Sequence, residues 1–181
     1  VSIQPDGALT RGCGGKEMAE LGLLQEAGAV ACTDGTRAIE DAKQMRNLLS
    51  YSRFLNALVV QHPEEPSLAK GACATASALA VRLGLPQVPS AAEAIMVARD
   101  LRLAELTGAR LHFAHISTAE ALSLIREAKA KGVQVTCDTA PPYFAMTEED
   151  IGDFRTYAKF SPPLRSEADR AAVCAGLVDG T

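Results

Sequence analysis

The chain has 181 residues, 48% of them hydrophobic and 22% charged, which is enough for one domain with a sizeable core but short of the roughly 250 residues of a complete eight-unit barrel. Its net charge of −4 comes from scattered carboxylates and bases with no Lys/Arg run, which argues against nucleic acid as a partner. No apolar stretch approaches the roughly 20 residues of a membrane helix and no signal-peptide pattern opens the sequence, so a cytoplasmic protein with no membrane partner is expected.

In chain order, residues 1–5 form a short alternating strand candidate, followed by a Gly-rich loop through Gly15. Met18, Leu21, Leu23 and Leu24 predict an amphipathic helix over 16–27 that stops at Gly28. Residues 29–32 are short and continuously apolar, as in a buried parallel strand. After the turn around Asp34 and Gly35, the periodicity predicts a helix over 39–54, then a strand over 55–62 stopped by Pro63 and Pro66. Residues 67–83 are Ala-rich and predict one helix ending at Gly84. Ser90 and Glu93 have the spacing of a capping box for a helix running to about Leu106. A strand over 110–115 follows, then a helix capped by Ser117 or Thr118 and ended by Gly132, and a strand over 133–137. An acidic helical turn at 147–150, a strand at 157–161 and a helix over 167–177 complete the reading.

The five cysteines, Cys13, Cys32, Cys73, Cys137 and Cys174, are odd in number and lack a C-x-x-C pair, which indicates neither a disulfide framework nor a thiolate zinc site. Regular alternation of strands and helices points to an α/β protein with a parallel sheet covered by helices. Two strands end on histidine, His62 and His115, where an α/β barrel places its binding groups, and this favours a barrel over an open sheet. On period-2 alternation, His115 shares a face with Leu111 and Phe113, toward the barrel interior, while His112 faces the other way as a packing or surface residue.

The residues around these histidines carry a resemblance. His62-Pro63-Glu64-Glu65-Pro66-Ser67-Leu68-Ala69 is similar to the H-C-E-D-P-S-L-A pattern of bacterial dihydroorotases, in the cyclic amidohydrolase superfamily. The similarity extends through the segments 20–31, 91–100 and 114–119, and through Pro162-Pro163-Leu164-Arg165-Ser166. It implies part of a TIM-type (β/α)8 barrel, roughly the third to seventh β/α units, as a single incomplete domain over 1–181 without the first and last units. The chain is accordingly expected to be a piece of a longer polypeptide. The resemblance also implies zinc, and interconversion of carbamoyl aspartate and dihydroorotate by a metal-bound water or hydroxide.

The family draws its metal ligands from several strands, and the resemblance carries two of them over directly, His62 and His115. The ligand Asp after the fourth strand falls on Gly35, with Asp34 beside it as a catalytic or metal-binding substitute that needs a loop adjustment. The family's substrate-holding Asn falls on Ser161, and its P-H-H reads Pro141-Pro142-Tyr143. Each candidate also has a plainer reading. His62 alone is more often a hydrogen-bonded structural histidine, Asp34 a turn former, and Ser161 and Arg165 parts of the turn around Pro162-Pro163. Glu64 and Glu65 read as solvated charges.

Because these site patterns depart together while framework segments match, the favoured reading is a catalytically degenerate dihydroorotase-like protein of pyrimidine biosynthesis, a pseudoenzyme; the resemblance implies for it a role as a structural partner of aspartate transcarbamoylase, since some bacteria use such a protein to assemble that enzyme. One alternative is an active zinc dihydroorotase whose remaining ligands lie outside this stretch. Another is an amidohydrolase for a different cyclic amide. A barrel segment with open edges is also expected to self-associate as a homo-oligomer.

Overall fold

The alternation of short apolar runs with amphipathic segments yields eight helices and seven strands among the described residues, 2–181, of a computed structural model. In order they are β1 (Asp6–Ala8), α1 (Leu21–Glu26), β2 (Ala31–Thr33), α2 (Ala42–Leu55), β3 (Leu58–Gln61), α3 (Pro66–Ala69), β4 (Ala74–Thr75), α4 (Ala78–Leu83), β5 (Gln87–Val88), α5 (Ala91–Thr107), β6 (Arg110–Phe113), α6 (Ala119–Ala130), β7 (Val135–Cys137), α7 (Pro141–Ala145) and α8 (Glu167–Asp179). Five strands form one parallel sheet in the order β1-β2-β3-β6-β7, and β4 pairs with β5 in a separate parallel ribbon. The order follows the chain, as in consecutive units of a (β/α)8 barrel.

Register assigns the two faces of the sheet. Cys32, Val59, Leu111 and Val135 lie side by side and pack, with Phe113, against Met45, Leu48 and Leu49 of α2, Val97 and Leu101 of α5 and Ile125 of α6. The alternate row, Thr33, Val60, His112 and Thr136, is only partly buried or exposed. Leu111 and Phe113 therefore face the helices, and His112 lies on the barrel-interior face, the reverse of the predicted assignment. Strand alternation also does not extend to His115, because its φ of +63° rotates the chain out of the extended conformation.

Local chemistry accounts for the helix boundaries. The Asp41 side chain accepts from Gln44 N at 2.6 Å to start α2, and Thr118 and Ser166 cap α6 and α8 in the same way. Asn56 and Gly108 end α2 and α5 in the left-handed conformation.

Several predicted elements differ. Val1 lies outside the described residues, and the first strand falls at Asp6–Ala8 rather than within 1–5. The helix predicted over 67–83 is split: Gly71 has φ +79°, and the backbone N–H groups of Cys73 and Ala74 donate to Pro86 O, which commits this stretch to the β4/β5 ribbon. The predicted strand at 157–161 is instead a 3-10 turn at Thr156–Ala158. Ser90 is helical and makes no side-chain cap; the capping box occurs instead between Thr147 and Asp150.

A second, small apolar cluster lies apart from the main core. Ala74, Ala80, Ile151, Ala158 and Leu164 pack with Leu83, Leu85, Met146 and Phe160. It joins the excursion between β3 and α5 to the long connection between α7 and α8.

Candidate two-histidine site

His62 directly follows β3 and His115 follows β6 by two residues, so two neighbouring parallel strands deliver both side chains to the same end of the sheet. The rings meet edge to face at 63°, with centroids 5.6 Å apart. His62 is 2% exposed, and both of its ring nitrogens, together with His115 Nδ1, are buried without a hydrogen-bond partner. A buried polar atom left unpaired costs about 1–3 kcal/mol, so three beside one contact point to a group that the two imidazoles share.

The neighbouring carboxylate does not satisfy them. Glu64 Oε2 lies 3.8 Å from His62 Nε2, beyond hydrogen-bond length, and instead accepts from the Ser161 hydroxyl at 2.9 Å. Burial pushes the Glu64 carboxyl up, yet the nearby His62 and Ser161 side chains and the Arg165 charge outweigh it and hold the group below its ordinary range. Ser161 thus ties its loop to the segment carrying His62. Beside them opens a cleft of about 440 Å3 lined by Thr36, Arg37, Glu40, His62, Glu64 and Lys70.

Asp34 is buried and turned to other work. Its Oδ1 accepts from Thr10 N at 2.9 Å and its Oδ2 from the Thr10 hydroxyl, fastening the loop after β2 to the end of β1. The adjacent Gly35 has φ +66° and open space where a Cβ would project. Among the described residues no three His, Cys, Asp or Glu side chains are arranged to hold a metal ion.

His115 is held from below. Its backbone N–H donates to Asp138 Oδ1 at 2.7 Å, and Asp138 Oδ2 lies 3.0 Å from His112 Nε2. His112 Nδ1 completes the chain at 2.7 Å from Thr136 Oγ1. Burial pushes the Asp138 carboxyl up, and the contacts with His112 and the His115 backbone more than offset it, leaving it below its ordinary value.

Sequence reasoning missed two buried ionic residues close by. Glu93 is fully buried and accepts from the backbone N–H and hydroxyl groups of both Ser117 and Thr118. Arg165 donates through Nε to Ser117 Oγ at 3.0 Å and through Nη1 to Thr75 Oγ1 at 3.2 Å, while its Nη2 is unpartnered. The Ser-x-x-Glu spacing at Ser90 and Glu93 does mark the start of α5, but the Glu93 carboxylate anchors the loop just after His115 and does not cap the helix.

Chemically, two imidazoles with unpartnered ring nitrogens supply half of a tetrahedral zinc ligand set. Nothing else among the described side chains completes it.

A family model described as dihydro-orotase-like matches residues 1–121. A curated dihydroorotase of Desulforapulum autotrophicum is 48% identical over 179 residues, spanning 99% of this chain and 42% of that protein. One from Pelotomaculum thermopropionicum is 47% identical over 181 residues, 100% of this chain and 42% of that protein. Among solved structures, an L-hydantoinase (dihydropyrimidinase) from Arthrobacter aurescens superposes with a TM-score of 0.79 at 22% identity, covering 99% of this chain and 41% of that one, a likeness of fold. A D-hydantoinase from Bacillus sp. AR9 gives 0.73 at 26% identity, over 89% and 38%. The chain spans about two-fifths of the length of the curated relatives, and it belongs to the dihydroorotase-like family.

Proposed function

We propose that this chain is the central barrel portion of a dihydroorotase-like protein of pyrimidine biosynthesis whose catalytic site is degenerate, and which serves as a structural partner of aspartate transcarbamoylase. The observation that carries the degenerate reading is the state of the fourth-strand acid. Gly35 has no side chain to offer, and Asp34 spends both carboxylate oxygens on Thr10. Retrieving Asp34 for a metal would break two buried hydrogen bonds and turn a side chain across the strand. The partner role rests on the family precedent.

One observation favours a second reading, an active zinc enzyme whose other ligands lie elsewhere in the polypeptide. The unpartnered nitrogens of His62 and His115 fit a bound metal, and these two side chains would hold it. Zinc there would supply Lewis acidity toward a cyclic amide carbonyl. The chain's own contribution is to bring the two rings within 5.6 Å of each other, with Glu64 and Ser161 bracing the loop after His62. Likeness to the Bacillus D-hydantoinase keeps a different cyclic amide as a further substrate candidate.

Zinc analysis and carbamoyl aspartate cyclisation on the intact polypeptide decide between these readings. The degenerate reading requires no turnover; cyclisation at an enzymatic rate with stoichiometric zinc overturns it. Co-purification with aspartate transcarbamoylase tests the partner role.

A further inference from the structure

We infer that Asp138, backed by His112, is a positioning residue that sets the direction of the His115 imidazole. The inference rests on reading His62 and His115 as a half-site. Its basis is the way the chain from Phe113 to Ile116 is wrapped around one aspartate. Asp138 N donates to Phe113 O at 2.9 Å, Ile116 N donates to Asp138 O at 2.9 Å, and between them the His115 N–H donates to Asp138 Oδ1 at 2.7 Å. The two backbone bonds continue the β6–β7 pairing beyond the strands. The side-chain bond does something different: it receives the N–H of the residue in this stretch that takes the left-handed conformation.

A φ of +63° is uncommon for any residue but glycine, because the Cβ crowds the following carbonyl there. The conformation persists when its surroundings over-determine it. Asp138 supplies that constraint, and its own orientation is fixed in turn by His112 at 3.0 Å and by His112 to Thr136 at 2.7 Å. Removing the carboxylate frees the turn to relax toward extended backbone, which swings the ring of His115 away from His62. Asn at the same position keeps an oxygen for the His115 N–H.

The test uses the intact polypeptide with D138A and D138N, in two measurements. The first is Co2+ titration followed by the d–d absorption of the bound ion. D138A is expected to weaken binding about 10- to 100-fold, the range for residues that orient metal-binding side chains, and D138N to stay within about threefold of wild type, with both variants showing the wild-type circular dichroism spectrum. The second needs no metal: nuclear Overhauser contacts between the rings of His62 and His115, with histidine-selective labelling, are expected in wild type and D138N and lost in D138A. Wild-type protein that takes up no Co2+ sinks the half-site reading, and the ring contacts then decide the positioning claim alone. Ring contacts retained in a folded D138A, or equal Co2+ binding by D138A and wild type, overturn it. Should D138A fail to fold, D138N decides: the claim fails if D138N loses the ring contacts.

Discussion

Glu93 and Ser117 stand 24 residues apart in sequence and are joined by three hydrogen bonds, from Ser117 N at 3.1 and 3.2 Å and from Ser117 Oγ at 2.5 Å. Thr118 adds two more, so α5 grips the start of α6 through one buried carboxylate. Ser117 Oγ in turn accepts from Arg165, which also reaches Thr75 in the β4/β5 ribbon. Glu93→Ala leaves the backbone N–H groups of Ser117 and Thr118 without their acceptor in the interior. A loss on the order of 3 kcal/mol or more in urea unfolding is expected, with Glu93→Gln losing less because it keeps one acceptor. A loss below about 1 kcal/mol for Glu93→Ala would show the network to be dispensable.

Asp34 is expected to matter for stability and not for metal. Asp34→Ala removes the acceptor for Thr10 N and its hydroxyl, a cost of about 2–3 kcal/mol. Co2+ affinity is expected to remain within about twofold of wild type, since a bond to the metal would be worth far more. A drop in affinity by about tenfold or more would return Asp34 to the metal site.

Gly35→Asp restores a carboxylate at the position where the family pattern carries one. An added Cβ meets nothing within 4 Å, so the penalty is that of a left-handed side chain, about 1 kcal/mol. Co2+ titration of the intact polypeptide is expected to show about tenfold tighter binding, equivalent to about 1.4 kcal/mol. Unchanged affinity would mean that the site's degeneracy lies elsewhere.

Asp100 provides a pH signature. It is fully buried, and burial pushes its carboxyl above the ordinary value despite hydrogen bonds from Arg99 at 2.7 Å and Gln61 at 3.1 Å. Between the ordinary value of 3.8 and the raised one, the folded chain holds a proton that the unfolded chain has released. Its contribution to stability therefore falls as pH rises through that window. The stability difference between wild type and Asp100→Asn, from urea melts across acid pH, is expected to move against wild type as pH increases. Movement in the opposite direction would mean that Arg99 dominates burial.

The alternation of elements and the meeting of His62 with His115 were legible in the sequence because both follow from local patterns: apolar runs, glycine stops and a histidine at each strand end. What was illegible depends on contacts distant in sequence. Which face of β6 meets the helices is set by packing against α2, α5 and α6, and four residues that include a histidine do not declare it. The partnership of Asp34 with Thr10 spans a loop, and the β4/β5 ribbon is formed by backbone bonds that Ala-rich composition conceals. Tyr143 shows the same limit: its hydroxyl donates to Pro162 O at 2.8 Å, a structural tie that no local spacing announces.

The division of the apolar residues into a main core and a small separate cluster has a consequence for motion. Ile151, Ala158 and Leu164 on one segment meet Ala74 and Ala80 on another, and few side chains bind the two together. Such a unit opens at lower free energy than the sheet beneath it. Amide protons of the β4/β5 ribbon should therefore exchange with solvent ahead of those in β3 and β6, so that this small unit opens as one sub-global event while the strands that carry the two imidazoles stay closed.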